Sequence, residues 1–139
     1  MRSHTDPLVL TSWGFAFPAY LWATGGCVVE AMAVALAAFS AVVYHRHREP
    51  TGIILRIDQV LAIAALVITL SRYFVSAFRV DVWFFAVVVL SVQALCVYGV
   101  NRRAYARRDW EVYEALHLLW HLLVIMGQCC LAVVVGHVN

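Results

Sequence analysis

The chain reads as an all-α protein, a polytopic bundle of about five transmembrane helices, and three observations lead there. Hydrophobic residues make up 64% of its 139 positions and charged ones 13%, against about half and about a quarter in an ordinary soluble domain. The apolar residues are gathered in blocks long enough to cross a bilayer. Short arginine-bearing connections separate the blocks, such as HRHREPTG (45–52) and NRRAYARRDWE (101–111). A water-soluble fold of this size could not hide so much apolar surface, so one membrane domain over residues 1–139 is expected.

The first uncharged stretch runs from Pro7 to Val29, is interrupted by Glu30, and resumes from Ala31 to Tyr44. At about 1.5 Å per residue, this is far too long for a single helix through a hydrocarbon core of about 30 Å. Pro18 and the pair Gly25-Gly26 stand where a break is needed. Two spans are therefore expected, 8–24 and 27–45, with Glu30 close to the far interface. The alternative is one tilted span preceded by a segment lying in the headgroups, which makes four spans in all. A third span is read at 53–74, with Arg56 and Asp58 in its first turns, and a fourth, the cleanest, at 82–100. After the charged segment 101–111, read as a loop, the last span covers 112–136. The N-terminal apolar run is too long for the h-region of a typical signal peptide. No internal repeat is visible.

Orientation follows from the arginines. In this topology Arg2, Arg46, Arg48, Arg56, Arg102, Arg103, Arg107 and Arg108 share one side, and only Arg72 and Arg79 lie on the other. The arginine-rich side is expected to be cytoplasmic. Removing the first span moves only Arg2. Arg46, Arg48 and the four arginines around Tyr105 are read as contacts for lipid phosphate. The formal charge of +2 is too small to point to nucleic acid. Four cysteines, Cys27, Cys96, Cys129 and Cys130, lie in or beside apolar segments without CxxC spacing and are read as small buried hydrophobes.

The same topology brings His45, Asp58, His117 and His121 to a similar depth at one end of the bundle, although none of them was used to derive it. A buried imidazole or carboxylate in lipid is costly without a partner. His117 and His121, in HLLWH, are four apart and share a helix face, where they can share an ion or simply hydrogen-bond to neighbouring helices. Three imidazole nitrogens with a carboxylate or water suit zinc. His45, His117 and His121 are thus the candidate metal ligands and Asp58 the candidate catalytic group, as a fourth ligand or as the general base for an attacking water. A b-type haem is the rival use of paired histidines, but it needs one histidine from each of two facing helices. His47 is expected to point away from His45 into solvent, and His4 and His137 carry no role. Glu30 is read as an interfacial carboxylate, and Trp110, Tyr113 and Trp120 as interfacial-belt and packing residues.

These positions resemble the CREST superfamily of membrane hydrolases, which includes alkaline ceramidases, adiponectin-type receptors and haemolysin III-like proteins. Its members share a His ending one span, an Asp opening the next, and His-x3-His in the last span. The segment FAFPAYLWATGGCVVEAMAVALAAFSAVVYH is similar to the first two spans of the myomaker and transmembrane protein 8 branch, through its FxxP element, its EAM and its terminal YH. RRDWEVYEALHLLWHLLVIMG is similar to that branch's last span. The chain departs from the family at Ala41, where a Ser usually stands four residues before the first His, while Ser40 sits one place early and is expected to point elsewhere. It also has room for five spans rather than seven. Loss of one helix hairpin between the fourth and last spans would preserve the side of every ligand.

The resemblance implies a zinc-dependent lipid hydrolase, an amidase or esterase of the ceramidase kind, using a zinc-activated water on a membrane lipid. It also implies an alternative, a non-enzymatic membrane-remodelling or scaffold protein of the myomaker kind in which zinc only holds the helices together. Either way the expected partner is membrane lipid and the expected location is an integral, multi-pass position with the metal at the cytoplasmic side.

Overall fold

The computed structural model of the chain describes residues 6–47, 52–79 and 81–137. Among the described residues six helical segments follow one another: α1 (Pro7–Gly14), α2 (Ala16–Thr24), α3 (Val28–His47), α4 (Ile53–Ser76), α5 (Val82–Arg107) and α6 (Trp110–Gly136). The last four are each long and apolar enough to cross a membrane, with mean hydropathy between 1.8 and 2.3 over their most apolar windows. The fold is all-α, as the apolar blocks require.

The first expected span is present as two short helices rather than one. Pro18 lies at the third position of α2 and has no N–H to return to Gly14, so the ladder is interrupted before it, at Phe15. The Phe15 N–H tightens onto the Ser12 carbonyl at 3.3 Å, and the α-helical pattern resumes with Ala19 N–H donating to Phe15 at 3.2 Å. The expected break at Gly25-Gly26 is there. Gly26 takes φ 76°, a left-handed conformation that suits glycine, and Cys27 N–H closes the helix end on the Trp22 carbonyl at 2.9 Å. Together α1 and α2 are about 27 Å long, close to the thickness of the hydrocarbon core. They run beside α6, with Thr11 against His121, Trp22 against Gln128 and Gly25 against Gly136.

Two helix ends correct the expected boundaries. Residues 101–107, read as part of a charged loop, continue α5. The segment contains no glycine or proline, and alanine and arginine are good helix formers, so charge alone does not end the helix. It stops where Arg108 turns left-handed at φ 59° and Asp109 caps α6 through the Val112 N–H. Likewise α3 continues through His47, so His45 to His47 are helical; the remainder of that polar connection, 48–51, lies outside the described residues.

Packing places α3 and α6 at opposite corners of a ring of four columns. The α1–α2 rod and α4 each pack against both, and α5 packs on the outside of α6 alone. Nowhere among the described residues do the α3 and α6 backbones come within 8 Å of each other, the lower end of the axis separation of directly packed helices. Side chains therefore fill the space between them. Toward one end the filling is apolar, with Val34, Ala65, Tyr73, Leu131, Ala132 and Val135 in one buried cluster. At mid-height Gln128 joins three columns, accepting from Trp22 Nε1 at 3.2 Å and donating to Thr69 Oγ1 at 3.0 Å. At the far end Glu30 meets Arg72 at 3.9 Å, which supplies the interfacial carboxylate with a partner. The outer surface stays apolar, Val75 for example being 84% exposed. Such a surface suits a lipid environment, not water.

Candidate metal centre

The end of the α3–α6 space opposite Glu30 is filled by imidazoles. His45 reaches it from the last turns of α3, and His117 and His121 from successive turns of α6, about 10 and 16 Å from that helix's first residue. One ring nitrogen of each histidine can be chosen so that all three lie within 4.8 Å of one another. The Nε2 atoms of His45 and His117 are 3.2 Å apart. Two nitrogens bound to one tetrahedral zinc at its usual bond length lie about 3.3 Å apart, so this pair is spaced for such an ion, and a His121 nitrogen lies within 4.8 Å of both. His45 is 5% exposed and His121 2% exposed.

His45 meets the other two rings edge to face, with centroids 4.9 Å from His117 and 5.1 Å from His121, while the His117 and His121 rings are tilted to each other at 4.8 Å. This spacing leaves no room for a macrocycle between His45 and His117, which disfavours the haem alternative. Aromatic neighbours enclose the group. Tyr113 stacks on His117 at 5.3 Å, Trp120 lies 5.7 Å from the same ring, and Phe15 contacts His121 edge-on at 5.6 Å. Tyr113 and Trp120, read as belt and packing residues, are thus also walls of the centre.

Asp58 stands apart from the three histidines and does not belong to their group of ligand atoms. Half-buried at the start of α4, its Oδ1 lies 2.8 Å from Ser40 Oγ on α3, about 7.5 Å along that helix from His45. The Ser40 side chain therefore does not point elsewhere: it faces Asp58, because α3 and α4 are antiparallel neighbours and residue 40 rather than 41 lies on the shared face. Ala41 is buried as well.

Two residues at the centre have no counterpart in the sequence reading. Thr11 Oγ1 is 3.1 Å from His121 Nδ1, and Asn101 Nδ2 is 2.9 Å from His117 Nδ1. Asn101 falls in the segment that its charges suggest is a loop; its signal is an amide at the level of the ligands, legible only with α5 extended to Arg107. Thr11 carried no signal beyond a hydroxyl in an apolar run. The other described histidines, His47 and His137, are both exposed, and His4 lies outside the described residues. Cys96 is exposed on α5, contrary to the buried role read for it, whereas Cys27 is buried and no described cysteine forms a disulfide.

No model of a known protein family, no curated protein and no solved structure matches the chain. Fold and site together define a class: a multi-span helical membrane protein with a buried three-histidine cluster able to hold a metal ion.

Proposed function

We propose that the chain is a zinc-binding membrane hydrolase similar to the CREST superfamily, acting on a lipid amide or ester. The donor set carries this reading. Three imidazoles converge, and among the described residues no fourth Asp, Glu, Cys or His joins them. Structural zinc sites are usually closed by four protein ligands, whereas catalytic ones keep three and leave a position open. Imidazole donors also favour zinc over the hard cations that prefer oxygen. When bound by His45, His117 and His121, zinc would supply Lewis acidity toward a scissile carbonyl and an acidified water.

The chain's own groups do the rest. Ser40 holds one oxygen of Asp58, leaving the other to take a proton as general base and return it to the leaving amine or alcohol. Tyr113, Trp120 and Phe15 exclude bulk water from the ring cluster. The substrate is a membrane lipid that enters sideways between helices, and α4 and α5, which do not pack together, leave that flank of α6 open. The excess of arginines at this end supports a cytoplasmic position for the centre.

A second reading is a non-enzymatic remodelling or scaffold protein of the myomaker kind with a structural zinc. The gap between the α3 and α6 backbones favours it, because an ion shared across that gap contributes its binding energy to folding. Ala41 at the family's serine position favours it too. Metal content of the purified protein, followed by turnover of ester and amide lipids before and after chelation and zinc return, separates the two. Zinc present with no lipid class turned over leaves only the structural role.

A further inference from the structure

Thr11 and Asn101 touch the Nδ1 atoms of two candidate ligands from helices that contribute no ligand themselves. An imidazole can bind an ion through Nε2 only if its remaining proton sits on Nδ1, and an acceptor at Nδ1 holds it there. Thr11 is arranged as such an acceptor. Its hydroxyl is directed back along α1, with Oγ1 2.9 Å from the Pro7 carbonyl and 3.2 Å from that of Leu8, so the oxygen lone pairs face His121 Nδ1.

Asn101 is 4% exposed and its Oδ1 is buried without a hydrogen-bond partner. With Nδ2 toward His117, the amide donates to Nδ1 and the ring proton sits on Nε2, aimed at His45 Nε2. Turned over about its Cβ–Cγ bond, the same amide fills the same space and offers Oδ1 to a protonated Nδ1 instead. His117 Nε2 then carries no proton and can offer its lone pair to an ion. An amide is suited to both states, whereas a side chain that only donates or only accepts serves one.

We propose that Thr11 and Asn101 are positioning residues that set the tautomers of His121 and His117, and that the Asn101 amide turns over when the metal is loaded. The inference rests on the three-histidine cluster being a metal centre. In the loaded protein His117 and His121 both carry their proton on Nδ1 and bind through Nε2.

The test uses the full chain in detergent, with zinc affinity from chelator competition, the visible spectrum of the cobalt-substituted protein, and long-range proton–nitrogen spectra of protein labelled at the histidine ring nitrogens. The expected results are a ten- to hundredfold loss of affinity in Thr11→Val and Asn101→Leu, with altered cobalt bands. Asn101→Asp, which can only accept, should bind at least as tightly as the unaltered chain, and Thr11→Ser should restore binding. In the unaltered protein the His117 proton should move from Nε2 to Nδ1 on zinc addition. Wild-type affinity in both Thr11→Val and Asn101→Leu would overturn the inference, as would an Asn101→Asp loss equal to that of Asn101→Leu. Should Asn101→Leu fail to fold, the nitrogen spectra of the unaltered chain decide alone, and an Nε2 proton retained on zinc-loaded His117 sinks the proposal. An unaltered chain that binds neither zinc nor cobalt is a separate outcome, which overturns the metal reading and this inference with it.

Discussion

His45 Nε2 and His117 Nε2 lie 3.2 Å apart although the helices that carry them never bring their backbones within 8 Å. The contact is made wholly by side chains reaching across a gap, 72 residues apart in sequence. Two imidazoles buried with their Nε2 atoms this close need a proton or an ion shared between them, and an ion would engage His121 as well.

The first prediction concerns stoichiometry. The purified chain should hold one zinc, and His45→Ala, His117→Ala and His121→Ala should each lose it. Added zinc at about a hundredfold excess over its Kd should stabilise the unaltered protein by about 2.7 kcal/mol, read as a rise in thermal midpoint that the three variants lack. Three variants that retain a full equivalent would place the ion elsewhere.

Asp58 should be separable from metal binding. It faces Ser40 and lies outside the ligand group, so Asp58→Asn and Ser40→Ala should keep one zinc while abolishing or sharply reducing any lipid turnover. Loss of zinc in Asp58→Asn would make Asp58 a ligand and close the site.

Gln128 should be the most sensitive polar residue of the mid-plane. Gln128→Leu leaves the indole N–H of Trp22 without its acceptor and removes the donor to Thr69 Oγ1, whose own hydroxyl still bonds the Ala65 carbonyl. A loss of roughly 1–2 kcal/mol is expected, the scale of interhelical hydrogen bonds in membrane proteins. Unfolding in mixed detergent would measure it, and a change near zero would mean the network contributes nothing net.

The two glycines where α2 and α6 end should respond unequally. A Cβ on Gly25 would sit 3.2 Å from the Gly136 Cα, whereas one on Gly136 would sit 3.5 Å from the Gly25 Cα, an ordinary contact. Gly25→Ala should therefore cost about 1 kcal/mol or more by forcing backbones apart, and Gly136→Ala should stay within about 0.5 kcal/mol. Equal effects would mean the ends are not packed this closely.

The Glu30–Arg72 pair should matter less. At 3.9 Å and with Arg72 37% exposed, it is close to a surface ion pair, so a double-mutant cycle with Glu30→Gln and Arg72→Met should give a coupling of under about 1 kcal/mol. A coupling of several kcal/mol would mark the pair as buried in lipid.

Block length and hydropathy were enough to read the four long helices and the shared end at which His45, His117 and His121 fall, because a bilayer of constant thickness imposes a length on any apolar run. The HLLWH spacing was likewise enough to put His117 and His121 on one face, a local consequence of helical pitch. Other features needed the folded chain. The break at Phe15 rather than Pro18 depends on which carbonyl loses its donor, and the continuation of α5 through its arginines depends on where a left-handed residue halts it. That His45 joins the α6 pair while Asp58 turns to Ser40 reflects rotation of α3 and α4 about their axes. Thr11 and Asn101 became neighbours of the cluster only through the lateral packing of α1 and α5 on α6, since depth in a membrane is written in residue counts but direction around a helix axis is decided by what packs against it.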